Sequence, residues 1–198
     1  MGELAGSSGA GPESVGRLFV AVDLPEPARH ALAAHLQAEL DGRPIPGRPV
    51  PPDRWHFTLR FLGSTDAVRH QRLLAALDQA DLGPRFVVAL GGLGSFPNPV
   101  RATVLWAAVE RGAERLADLA GIAEDAALSA GFSAEERPFH AHLTHSRIRP
   151  HQDLRALLDR VAPAPIRLSV DRVVVYRSHL GGGGARYEAL ESFALSRA

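Results

Sequence analysis

Short apolar runs, punctuated by glycine and proline, alternate along this chain with stretches in which leucine and alanine recur at three- to four-residue spacing. Residues 17–22 (Arg-Leu-Phe-Val-Ala-Val) are closed by Asp23, Leu24 and Pro25, which predicts a strand and a turn. Leu32, Leu36 and Leu40 follow at helical spacing until Asp41 and Gly42, with Asp23 or Glu26 as candidate helix starters. Residues 43–53 hold five prolines and read as a loop. Residues 55–62 predict a strand. Thr65 or Asp66 then caps a helix whose apolar side is Val68, Leu73, Leu74 and Leu77.

The second half continues in the same way. Strands are predicted over 86–90, 102–109, 139–148, 166–176 and 186–195, and helices over 114–130 and 152–161. Residues 91–99 read as a Gly/Pro-rich connection, and 181–184 as a flexible hairpin loop. The order is neither strict βαβ alternation nor all-β. It predicts an α+β fold with antiparallel sheets and helices packed on one face.

Composition narrows the function classes. At 198 residues and 45% hydrophobic, the chain can bury one sizeable core but has no room for two independent domains. Residues 1–16 are small and polar, without a basic stretch before an apolar run, and read as a disordered tail and not a signal peptide. Residues 17–198 are the expected single domain. Lys+Arg and Asp+Glu are both 22, so nucleic-acid contact should be local, at an end held in a cleft. The chain has no cysteine, which excludes disulfides and thiolate metal sites. No run reaches the ~18 apolar residues of a membrane span. A soluble, cytoplasmic monomer is the expectation.

One motif repeats. Arg54-Trp-His-Phe-Thr-Leu-Arg60 is echoed nearly half a chain later by Phe139-His-Ala-His-Leu-Thr-His145. Each copy follows a proline (Pro52, Pro138) and lies in a predicted strand, so a duplicated half would relate the two strands by a pseudo-twofold. In a strand, residues i and i+2 share a face. His56 therefore faces the same way as Thr58, and His142 as Thr144, while Phe57, Leu143 and His145 face packing. Two imidazoles can divide general acid and general base work, because histidine titrates at about 6.5. Threonine hydroxyls can donate to non-bridging phosphoryl oxygens. A strained cyclic phosphodiester needs no metal if one histidine activates water and the other protonates the leaving oxygen.

These residues and their flanks resemble the RNA 2′,3′-cyclic phosphodiesterases, also called 2′-5′ RNA ligases, of the two-histidine phosphoesterase superfamily. The resemblance runs through residues 17–25, Arg48-Pro-Val50, His56-Phe-Thr-Leu-Arg-Phe-Leu-Gly63, Val104-Leu-Trp106, Arg137-Pro-Phe-His-Ala-His-Leu-Thr144 with Arg147, and Tyr187. It implies a bilobal fold whose antiparallel sheets line a central cleft, with helices outside. It implies that water opens a 2′,3′-cyclic phosphate, at an RNA end or on a nucleoside, to leave a 2′-phosphate. His142 would accept the proton from water and His56 would protonate the departing 3′ oxygen. Thr58, Thr144 and Arg147 would bind the phosphate, and Phe19 would stack on a base. No cofactor or metal is implied, and a reverse 2′-5′ ligation in vitro is. Two departures stand in the second motif: Ala141 where relatives often carry proline, and His145 where an apolar residue is usual.

Two other functions compete. The same fold could serve as a nucleotide-binding module with little catalysis. Alternatively His140, His142, His145 and His56 could hold a metal, although no carboxylate close in sequence completes that set. Trp55 and Trp106 read as core, and Arg60 as surface charge. Residues 181–184 lack the lysine and following Ser/Thr of a P-loop.

Overall fold

The computed structural model describes residues 13–181 and 184–197. Residues 1–12, most of the expected tail, lie outside the described residues, but Ser14 to Gly16 already belong to the first strand. The strands are β1 (Ser14–Asp23), β2 (Arg48–Pro49), β3 (His56–Asp66), β4 (Phe86–Phe96), β5 (Ala102–Arg111), β6 (His142–Gln152), β7 (Arg167–Val170), β8 (Arg172–His179) and β9 (Arg186–Ala194). The α-helices are α1 (Glu26–Glu39), α2 (Ala67–Gln79), α3 (Ala113–Ser129) and α4 (Arg155–Arg160). No helix among the described residues is long and apolar enough to cross a membrane.

Two antiparallel sheets carry the molecule, in the orders β3-β1-β8-β9 and β2-β6-β5-β4-β7. The first order maps onto β6-β5-β4-β7 of the second. Helices α1 and α3 follow β1 and β5, and α2 and α4 follow β3 and β6, so the pseudo-twofold suggested by the repeated motif extends to the whole topology. One apolar core joins the halves. Leu32 and Leu36 of α1, Leu73 and Leu77 of α2 and Leu116 and Leu119 of α3 are buried in it, together with Phe57 of β3 and Leu143 of β6. The helices bury a stripe because their apolar residues recur every three or four positions. Asp66 starts α2 by accepting a 2.9 Å hydrogen bond from the Arg69 amide, whereas α1 starts at Pro25 with no side-chain cap.

Beyond shifted ends, such as β3 running to Asp66 and β6 spanning His142–Gln152, three departures from the sequence expectation change how the sheets are built. Strand β4 continues to Phe96 through three glycines, where a connection was expected. The reason is Trp106: a Cβ on Gly94 would stand 2.3 Å from its ring, so the indole lies directly on the backbone of β4. Within the proline-rich loop, Arg48 and Pro49 pair with Arg147 and Ser146 as β2. Finally, residues 166–176 split at Asp171. Val170 pairs with Phe86 in one sheet and Val174 with Ala21 in the other, so a single β-branched run serves both sheets.

Candidate active site

His56 opens β3 and His142 opens β6. Each ring is held in the same way. The Nδ1 of His56 lies 2.8 Å from the Arg54 carbonyl oxygen, and the Nδ1 of His142 lies 2.7 Å from that of His140. A carbonyl oxygen only accepts, so Nδ1 carries hydrogen and donates in both cases. That leaves Nε2 as the nitrogen free for proton transfer on both rings.

The alternation that puts each threonine beside its histidine then breaks. Between Ala21↔Thr58 and Val20↔Arg60 the register skips Leu59, and between Trp106↔Thr144 and Leu105↔Ser146 it skips His145. Both motifs carry a bulge at the third residue after the histidine. A bulge shifts the facing of everything beyond it by one residue. Arg147 is therefore returned to the face of His142 and Thr144, and Phe61 to that of His56 and Thr58. Strict alternation would have turned both away. Arg147 also acts electrostatically on both histidines, and His142 acts on His56, so the two motifs converge on one volume. Burial pulls the His56 pKa down to about 4, against a smaller upward pull from the Arg54 carbonyl, with Arg147 and His142 lowering it further. Burial is also the main reason that His142 lies below the usual histidine value; its bond to the His140 carbonyl opposes this, and His140 and Arg147 add to it.

The same bulge turns Arg60 out of the cleft. It is 8% exposed and not the surface charge expected. Its guanidinium pairs with Glu124 of α3, donates to the Ser133 carbonyl and lies 3.6 Å from Glu135. This ties β3 to the segment leading into β6.

Phe19 requires a correction. It lies on the cleft face of β1 but is only 3% exposed. Its ring is covered by Tyr176, stacked at 5.3 Å, by His56 at 4.9 Å, by Tyr187 at 5.0 Å and by Phe61 at 6.0 Å between centroids. Phe19 supports His56 from beneath and presents no free face to a base. Phe61, 57% exposed, and the half-buried Tyr187 present the open aromatic surface. Beneath them the Tyr176 hydroxyl donates to the Asp23 carboxylate at 2.6 Å. Burial raises the Asp23 pKa, and the hydrogen bond from Tyr176 acts in the opposite direction.

Trp106 is likewise not simple core. Half-buried, it stands opposite Thr144 on β5. It packs against Phe96 at 5.0 Å and His140 at 5.0 Å, and Phe96 meets the edge of His142 at 5.0 Å. Each catalytic candidate thus rests on its own aromatic cluster. Phe61, Phe96 and Trp106 line the candidate site though sequence reasoning gave them no role in it, and His140, weighed there only as a metal ligand, packs in the same cluster. For Phe61 a signal was present: it is the fifth residue after His56, as Arg147 is after His142.

His145 faces the core, as alternation predicts. It is fully buried with its ring 4.9 Å from Trp55 in an edge-on contact, and its carbonyl accepts from the Val50 amide at 2.7 Å. His140 and His142 share a face with centroids 6.2 Å apart, but His145 points the other way. Among the described residues, no three His, Asp or Glu side chains group as a metal-holding set.

The duplicated geometry has a counterpart among known proteins. A family model for LigT-like phosphoesterases matches twice, over residues 22–106 and 108–187, one copy per histidine motif. The chain belongs to this family. It is 30% identical over 189 residues to the RNA 2′,3′-cyclic phosphodiesterase of Escherichia coli, covering 91% of this chain and 97% of that protein. It is 36% identical over 190 residues to the protein of the same name from Thermus thermophilus, covering 90% of each. Among solved structures, E. coli LigT in apo form superposes with a TM-score of 0.77 at 28% identity, covering 93% of this chain and 99% of that one. The same LigT complexed with 3′-AMP also gives 0.77.

Proposed function

We propose that this LigT-like phosphoesterase hydrolyses 2′,3′-cyclic phosphodiesters, on RNA ends or nucleosides, to 2′-phosphomonoesters by metal-independent two-histidine catalysis. The observation that carries the reading is the pair of equivalent histidines with Nδ1 tied to backbone carbonyls, flanked by Thr58, Thr144 and Arg147 on one face. The relatives named RNA 2′,3′-cyclic phosphodiesterase support the substrate class, and the LigT complex with 3′-AMP supports a nucleotide in the cleft.

In this scheme Arg147 and the two threonine hydroxyls hold the non-bridging oxygens and stabilise charge as phosphorus becomes five-coordinate. Neutral His142 takes a proton at Nε2 from water, whose oxygen bonds phosphorus. The P–O3′ bond breaks, and O3′ receives the Nε2 proton of His56. The products are a 2′-phosphate and a 3′-hydroxyl. Burial and Arg147 favour neutral rings. A bound phosphate anion supplies the opposite charge and raises the proton affinity of His56, which acid catalysis requires. With a 5′-hydroxyl in place of water, the same transfers form a 2′-5′ phosphodiester.

The test is turnover of a nucleoside 2′,3′-cyclic phosphate by folded His56→Ala and His142→Ala proteins. Each should lose about 10²- to 10⁴-fold in kcat. Retention of wild-type turnover by either variant would refute the scheme.

A further inference from the structure

The cleft carries more guanidinium than one phosphate needs. Arg48 on β2 is the direct partner of Arg147 on β6, so both side chains leave the sheet on the same side. The Arg48 guanidinium then reaches across to the other half of the molecule. Its Nη2 lies 3.1 Å, and its Cζ 3.6 Å, from the point where a Cβ on Gly184 would stand, and Nη1 of Arg54 lies 3.4 Å from the same point. Gly184 sits between β8 and β9 with φ +101°, a conformation that favours glycine. The missing side chain leaves room for two cations to converge beside it.

Arg54 also lines a cavity of about 420 Å³ together with His56, Arg186, Tyr187 and Asp53. Asp23 also lines it, and Glu188 acts electrostatically on Arg186. The Asp23 carboxylate accepts from the Tyr176 hydroxyl, and the cations acting on it are Arg29 and Arg172. Among the described residues, no carboxylate lies within 4.0 Å of the guanidinium nitrogens of Arg48, Arg54, Arg147 or Arg186. Holding like charges together unpaired costs free energy that a bound anion would return. Arg147 is already assigned to the reacting phosphate. Arg54 shares its cavity with His56, and Arg48 bridges from the Arg147 pairing to Arg54.

We propose that Arg48 and Arg54 form a second anion subsite, which holds the phosphodiester on the 5′ side of the terminal nucleotide. The site would then select oligonucleotide ends over free nucleoside cyclic phosphates. This rests on the proposed cyclic phosphodiesterase activity and names its substrate class.

The test compares kcat/KM for a nucleoside 2′,3′-cyclic phosphate with that for a dinucleotide ending in the same group, in wild type and in Arg48→Gln. Wild type should prefer the dinucleotide by about tenfold or more, the worth of one charge-assisted contact, and the preference should shrink as salt rises. Arg48→Gln should lose most of that preference while keeping the mononucleotide value within about twofold. Arg48→Lys should recover part of it. A wild type with no preference overturns the subsite, and so does an Arg48→Gln protein that loses both substrates equally. If wild type turns over neither substrate, the cyclic phosphodiesterase reading fails instead. The subsite is then read from calorimetric binding of a 2′-phosphorylated mononucleotide and dinucleotide, where equal affinities overturn it.

Discussion

The chemistry proposed for His56 and His142 depends on a backbone contact as much as on their identity. Tying Nδ1 to a carbonyl selects one tautomer and leaves Nε2 free for the proposed proton transfers. Burial then lowers both pKa values, that of His56 to about 4. Because kcat/KM reports the free enzyme, both limbs of its pH profile should lie below about 6.5, the ordinary histidine value. The profile of kcat, which reports the anion-bound state, should be displaced to higher pH. Limbs of kcat/KM at or above 6.5 would contradict this environment. In the proposed scheme Thr144→Val removes a phosphate donor and should lower kcat by about 10²-fold, with little change in thermal stability on a melting curve. The histidine and threonine pairs were legible in the sequence because a period of two and one repeated motif suffice to align them. Phe19 was misread because facing the cleft does not imply being open to it, and four neighbouring rings cover it.

At the scale of elements, two bulges decide which residues join the site. Sequence alternation read past His142 would send Arg147 to the core side. It faces the cleft because the strand gives one residue, His145, to a bulge. Nothing local in Leu59 or His145 announces a bulge; it follows from pairing with β1 and β5, which is non-local. The same non-local cause explains β4, whose glycines look like a loop until Trp106 is laid across them. Gly94→Ala should force the indole off β4 and cost about 1–3 kcal/mol in a urea denaturation series. Arg60→Met should be more costly. It leaves Glu124 of α3 partly buried without its cation, with a loss toward the lower end of about 3–5 kcal/mol because Glu124 keeps some solvent contact. A midpoint unchanged by Arg60→Met would show that the ion pair does not fasten the segment leading to His142.

The whole molecule is a duplication around one core, and this was visible from the start in the two motifs and the mixed element order. The splitting of residues 166–176 between sheets was not visible, because a β-branched run reads the same whichever sheet it joins. His145 gives the assembled molecule a measurable acid sensitivity. Burial alone holds its folded pKa at about 4, against about 6.5 when exposed. Below 6.5 the unfolded chain binds a proton that the folded one refuses, so stability is full above 6.5 and falls as pH drops towards 4. His145→Leu should reduce the dependence of the unfolding midpoint on pH within that window, where His56, His142 and His70, all lowered mainly by burial, also contribute.

The central claim is metal-independent opening of a cyclic phosphate by two histidines. It is tested most directly by phosphorus NMR of the product formed from a nucleoside 2′,3′-cyclic phosphate in excess EDTA. The account predicts undiminished turnover with the 2′-phosphate as sole product. Arrest by the chelator, or a 3′-phosphate, would contradict it.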